Sequence, residues 1–273
     1  MSKRMWNVTV IAATALTVLI AGQSYGMSAK EVMRRSNKTG LGKTSIATTL
    51  MMVMDADGTK TTKTMKVYKK KFSGQTKSLT QFLAPADIRN TSYLNFDFNN
   101  DSRQDDSWLY LPSLRKTKRI VGSDKSRPFM DSDFSYADIN GMELEDWDYK
   151  FVSKSDPVDG YDCWQIQATP KRGKKSRVIE STGYRKTMVW VRKDNFIPVK
   201  GKYWVAGSRK IKFMTVSKLK KIQGIWTAME TQMVTTKGGR KMLHSTLNQV
   251  KSIRYNTKIK NNQFTKVSME AGI

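Results

Sequence analysis

From residue 44 onward, polar or charged groups alternate with large apolar ones in short runs that end at Asn, Asp, Gly or Pro. In Lys210-Ile211-Lys212-Phe213 the charges fall on one face and the apolar groups on the other, as an antiparallel sheet buried on one side requires. Runs of this kind predict strands over 44–54, 61–72, 76–84, 91–98, 107–111, 114–121, 145–153 and 161–169, then over 184–192, 199–205, 210–216, 225–235 and 240–254. Asp55-Ala56-Asp57-Gly58 joins the first two as a hairpin, because its Gly supplies a positive φ. Ser73-Gly74 makes the next turn. One short helix is predicted over 29–35, with Ser28 as its N-cap and Val32 and Met33 as its apolar members. Helices do not alternate with the strands, so a parallel α/β fold is excluded. No fixed-period repeat signals a propeller. What remains is one large curved antiparallel sheet or a barrel.

The N-terminus precedes this pattern and differs from it. Lys3 and Arg4 come before an uncharged run from Val8 to Ala21, and Ser24 and Gly26 place small residues where a signal peptidase cuts. Fourteen apolar residues at about 1.5 Å each reach roughly 21 Å, short of a hydrocarbon core about 30 Å thick. We therefore expect a signal peptide over residues 1–26 and a soluble mature domain over 27–273. Such a length fits one β domain. Cys163 is the lone cysteine, so no disulfide is expected, and its neighbours Trp164 and Ile166 suggest an inert thiol in a strand. The chain carries a formal charge of +26, which favours anionic partners but does not dictate the fold. The basic residues are densest over 69–71, 115–119, 171–177 and 218–221. Each cluster reads as a solvated strand end or loop.

The familiar catalytic patterns fail on inspection. Gly40-Leu41-Gly42-Lys43-Thr44 lacks the first Gly of a phosphate loop, because position 37 is Asn37, and reads as a turn. Asp97, Asn99 and Asp101 have the spacing of a calcium loop, but Ser102 replaces the bending Gly and Trp108 the closing Glu. His244 is the one histidine and falls in a strand, which removes a multi-histidine zinc site. Asp131, Asp133, Glu143 and Glu145 are the carboxylates available for paired acid–base work, and nothing in the pattern brings them together. No enzyme activity, cofactor or metal is expected.

The most distinctive stretch runs from Trp108 to Ile139. It contains Trp108-Leu109-Tyr110-Leu111-Pro112, then Arg115-Lys116 and Lys118-Arg119, then Phe129-Met130, Ser132-Asp133-Phe134 and Tyr136. Read generically, it is an edge hairpin with Pro112 at the turn and its basic residues facing water. Aromatic and basic residues interleaved in this way also suit single-stranded nucleic acid, but an exported protein is not expected to meet any. These elements resemble the LolA-like outer-membrane lipoprotein-sorting family, in the branch associated with RND-type exporters. Phe82, Pro85, Asp87-Ile88-Arg89 and Thr91 extend the resemblance upstream. Downstream, Val189-Trp190-Val191 with Asp194 and Pro198 fits a hairpin near the middle of the family's sheet. Asn90 stands where Gly is expected, and Asn tolerates the positive φ of such a turn.

The resemblance implies an unclosed antiparallel half-barrel, with a few short helices covering its concave, apolar face around a cavity for acyl chains. It implies a periplasmic carrier of lipid or lipid-modified protein, with an RND-type inner-membrane exporter or another inner-membrane partner and transient contact with anionic membrane. The 16 methionines could line such a cavity, although packing the core is the simpler role for most of them. Trp108, Tyr110, Leu111, Phe129, Met130, Phe134, Tyr136, Trp190 and Phe213 are the residues expected to line it. Arg115, Lys116, Lys118 and Arg119 are expected to meet anionic headgroups or a partner. The alternative from another class is an exported polyanion-binding or surface-interaction protein with a closed β core.

Overall fold

The computed structural model describes residues 26–99 and 103–272. Residues 1–25 of the leader expected over 1–26, and positions 101 and 102 of the calcium-like spacing, lie outside the described residues.

After α1 (Ala29–Lys38), six strands form one antiparallel meander: β1 (Thr44–Asp55), β2 (Lys60–Phe72), β3 (Gln75–Ala84), β4 (Ser92–Phe98), β5 (Asp106–Leu111) and β6 (Lys116–Arg119). Seven more form a second: β7 (Trp147–Ser153), β8 (Cys163–Pro170), β9 (Tyr184–Arg192), β10 (Pro198–Val205), β11 (Lys210–Ile222), β12 (Ile225–Lys237) and β13 (Lys241–Tyr255). Pairing of β1 with β13 fuses the two meanders into a 13-stranded sheet in the order β6-β5-β4-β3-β2-β1-β13-β12-β11-β10-β9-β8-β7. The first meander ends at one edge and the second begins at the opposite edge. The sheet does not close.

Three helices lie over one face, here the inner face: α1, α2 (Tyr136–Asn140) and α3 (Lys175–Thr182). Ser28 caps α1 as expected, its hydroxyl accepting from the Glu31 amide at 3.1 Å. Val32 of α1 is buried against Ile166, Val189 and Val191. The opposite, outer face carries α4 (Lys266–Ala271) and the turn before it, whose Phe264 and Met269 pack on Leu79 and Leu94.

Because β6 and β7 lie at opposite edges, the chain between them must cross the sheet, and it does so over the inner face. Phe129 packs edge-on against Tyr93 and Tyr136, at 5.4 and 5.3 Å between ring centroids. Phe134 joins Trp147, Tyr184 and Tyr203. This crossing segment fills one end of the inner face and supplies its core.

The structure corrects several details of the sequence reading. The strand expected over 114–121 shortens to β6, because Pro112–Leu114 forms a 3-10 turn and Arg115 is left-handed at φ 47°. The basic run from Lys171 leads through a 3-10 turn into α3 rather than a loop, whereas Lys218 to Lys221 do lie at a solvated strand end, that of a β11 longer than expected. The β9–β10 hairpin sits toward the β7 edge instead of the middle. Asn90 does adopt the positive φ expected of it, at 65°.

Candidate ligand cavity on the inner face

The crossing segment is fixed at its tip by the Ser132-Asp133-Phe134 motif. Asp133 is 1% exposed. Its carboxylate accepts from Thr235 and, at 2.7 Å, from Thr246, and Nδ1 of His244 lies 2.6 Å from Oδ1. Burial alone would raise the Asp133 carboxyl, but these contacts from His244 and the two threonines outweigh it and hold the group below its ordinary value. Lys212 Nζ donates to the Asp133 carbonyl at 2.7 Å, and buried Lys63 donates to the Met130 carbonyl at 2.5 Å. One tip is thus tied to β2 on one side and to β11, β12 and β13 on the other. His244 serves this anchor.

Further along the segment, Ser135 and Asp138 form a reciprocal capping box at the start of α2. Tyr93 donates to Asn140 at 2.8 Å, Asn140 to Ser107 at 3.1 Å and Ser107 to Asn95 at 2.9 Å. These bonds hold the end of α2 above β4 and β5, so the chain from Ile139 to Glu145 becomes a roof rather than a filling.

Beneath that roof lies a cavity of about 720 Å³, bounded by Lys38 at the end of α1, Leu41 after it, Lys69 and Lys71 of β2, Asp97 of β4, and Glu143. A second cavity of about 250 Å³ has a more apolar wall, including Ala47, Val67, Val250 and Ile253. Leu41, Lys69, Lys71 and Thr76 line both. The larger chamber is charged. Burial lowers the Lys69 ammonium and raises the Asp97 carboxyl, each shift opposed by the other's charge. Burial pushes Asp105 up to about 6 and Glu143 to about 7, and neighbouring carboxylates add to both. Gln75 Oε1, also on the wall of the larger chamber, is buried without a hydrogen-bond partner among the described residues. Among the described residues no three His, Cys, Asp or Glu side chains converge to hold a metal ion, and no helix is long and apolar enough to cross a membrane.

The nine aromatic and aliphatic residues expected around a cavity are dispersed, and none lines either chamber. Trp108 and Tyr110 pack on the outer face near Phe264 and Met269. Trp190 joins the cluster of Cys163 and Ile197, its indole donating to Asp156 at 2.7 Å, and Phe213 stacks beside Lys202. Leu111, Phe129, Met130 and Tyr136 belong to one inner-face core, and Phe134 to the next. Among the methionines, Met142 reaches the large chamber, whereas Met51, Met65, Met233 and Met269 are core. Arg115, Lys116, Lys118 and Arg119 are all exposed on or beside the edge strand β6. Lys118 pairs with Asp124 at 2.8 Å and Arg119 with Asp106. Of the four carboxylates weighed for paired chemistry, Asp131 lies near Lys63, Asp133 is held in the anchor, and Glu145 borders the large chamber but pairs with Lys30 and Lys171, leaving Glu143 as the one that lines the chamber without an ion pair. The sequence did carry a signal for the chamber. Lys69 and Lys71 occupy the same alternating positions of β2 as inner-facing Met65 and Val67, a charged continuation of an apolar face.

An unclosed antiparallel sheet with a roofed inner face and a cavity under it is the LolA-type half-barrel fold. A family model described as "Uncharacterized protein" matches residues 74–271, more than half of the chain, and the chain belongs to that family. Among solved structures, a DUF1329 family protein from Desulfovibrio piger is 28% identical, with 88% of this chain and 97% of that one covered at a TM-score of 0.78. A candidate outer membrane lipoprotein-sorting protein domain from Vibrio parahaemolyticus is 27% identical, with 89% and 98% covered at a TM-score of 0.76. A LolA superfamily protein from Nitrosomonas europaea shares the fold at a TM-score of 0.66 with 16% identity, over 89% of this chain and all of that one. No curated protein matches.

Proposed function

We propose that this protein is a periplasmic carrier of lipid or lipid-modified protein, exported by a leader that ends at Gly26. It holds an acyl chain under the roof of the inner face, and passes cargo to or from an RND-type exporter or another inner-membrane partner. The observation that carries the reading is the pair of adjoining chambers that the crossing segment leaves open, one of them walled by Ala47, Val67, Val250 and Ile253. The lipoprotein-sorting description of the Vibrio relative supports it. Each buried methylene would contribute about 0.8 kcal/mol, so a short alkyl segment gives useful affinity without chemistry. Of the nine residues first expected around the chain, Leu111, Phe129, Met130, Phe134 and Tyr136 act as its frame from the inner-face core. Arg115 and Lys116, exposed on the β6 edge beside exposed Leu114, are the groups proposed to touch anionic membrane. Purified protein should bind an apolar fluorophore that added fatty acid displaces, and lipid extracted from it should show an acyl species in stoichiometric amount. Protein that binds neither would sink the carrier reading.

A second reading has one observation in its favour. On the outer face Lys186 lies over Trp204, Lys202 near Trp204 and Phe213, and Lys200 over Trp190, an interleaved surface suited to a polyanion. The closed β core once attached to that reading is not what this sheet forms. Salt-sensitive heparin binding without any acyl binding would favour it.

A further inference from the structure

The two chambers differ in chemistry along a line. The small one is walled mainly by Ala47, Val67, Val250 and Ile253. Lys69 and Lys71 stand where it meets the large one, since both line both. Beyond them, in the large chamber alone, come Asp97, Asp105 and Glu143, close enough that each raises or is raised by another's charge. Among the described residues neither lysine forms an ion pair, and the three carboxylates do not converge on a metal. An apolar end, a cationic waist and an anionic far end are therefore set out in that order.

Resting on the carrier reading, we propose that the ligand is a single-chain zwitterionic phospholipid whose tail enters the small chamber, whose phosphate meets Lys69 and Lys71, and whose terminal ammonium meets Asp97, Asp105 and Glu143. The order of groups along such a molecule, alkyl chain then phosphate then ammonium, is the order of the walls. One apolar chamber, of about 250 Å³, adjoins the cationic waist, which argues for one chain. Charge withdrawn from water with incomplete pairing is costly: Lys69 faces only the distant charge of Asp97, Asp105 is buried, and Lys71 is exposed, so such a headgroup adds counter-charge on both sides at once. It also offers donors to the unpartnered Gln75 Oε1. A purely anionic headgroup would satisfy the lysines and repel the carboxylates, and an alkylammonium would do the reverse.

Binding to the mature protein is measured by displacement of an apolar fluorophore, using four probes: lysophosphatidylethanolamine, lysophosphatidic acid of the same chain, an alkylammonium of the same chain, and chainless glycerophosphoethanolamine. The full zwitterion should bind about tenfold more tightly than either amphiphile of one sign of charge, the effect of one charge-assisted hydrogen bond. Glu143→Gln should narrow its margin over lysophosphatidic acid, and Lys69→Met its margin over the alkylammonium. A cooperative thermal melt and an unchanged circular dichroism spectrum of each variant report an intact fold. Equal binding of all three amphiphiles would overturn the headgroup assignment while leaving the carrier reading in place. Glycerophosphoethanolamine binding as tightly as the lysolipid would overturn the tail assignment. Binding of no amphiphile at all would overturn both readings.

Discussion

Asp133 shows how a motif can be legible as distinctive and still be misread. Ser132-Asp133-Phe134 stands out in the sequence beside candidate binding residues, yet the carboxylate is spent on Thr235, Thr246 and His244 and binds nothing else. Asp133→Ala would leave those groups buried without their partner, at about 1–3 kcal/mol of stability. For a domain of this size that lowers the melting temperature by roughly 2–4 °C per kcal/mol. An unchanged melt would mean that the anchor does not hold the crossing segment. Glu143 offers a second test. Its pKa is raised to about 7 and that of Asp105 to about 6, chiefly by burial. Both bind protons more tightly in the folded state than in the unfolded one, so their contribution is most favourable below about pH 4 and is lost as pH rises through about 6 and then about 7. In thermal melts of empty protein, Glu143→Gln should therefore raise the melting temperature at about pH 8 and change little at about pH 4.5. Parallel curves for parent and variant would count against a buried Glu143. Local residue chemistry was readable where neighbours in sequence decide it, as with the Ser28 cap and the positive φ of Asn90. It was not readable for Asp133, whose partners lie 102 and 113 positions away.

At the scale of elements, strands were legible because alternation is a local signal, and the expected spans match most of them within a few residues. Two kinds of element escaped. The start of α3 hides in Arg172-Gly173-Lys174-Lys175, where charge masks the buried Val178 that anchors the helix. The crossing segment over 120–146 has no period at all, because its aromatics fill gaps between strands rather than forming a face. Its ends were readable in principle, since an unclosed sheet must bring its connection back across one face. The basic edge divides in two. Lys118 and Arg119 are held by Asp124 and Asp106, whereas Arg115 and Lys116 have no ion-pair partner among the described residues. A basic group near an anionic bilayer contributes about 1 kcal/mol. Replacing Arg115 and Lys116 with Ser should therefore weaken co-sedimentation with anionic vesicles by about thirtyfold. Replacing Lys118 and Arg119 should weaken it less. Raising the salt should reproduce the stronger variant, because screening acts over about 8 to 10 Å, while fatty-acid displacement stays near the parent's level. Equal loss of both activities would place the edge strand at the cavity instead.

The whole molecule is a half-barrel because two meanders meet at β1 and β13 and leave β6 and β7 apart. That topology creates an inner face, the returning chain fills one end of it, and α1 with the segment from Ile139 to Glu145 roofs the other. Fold class followed from alternation and the resemblance together. The position of the cavity did not, because strand faces are readable but the course of a long connection over them is not. The account stands on the small chamber between β1, β2 and β13 admitting an alkyl chain. Ala47, Val67, Val250 and Ile253 form its apolar wall, so the most direct measurement is native mass spectrometry of the mature protein with a single-chain amphiphile, beside a Val67→Trp variant that fills the chamber. The expected result is one amphiphile bound per parent chain and none on a variant that melts cooperatively. Undiminished binding to the filled variant would contradict the account.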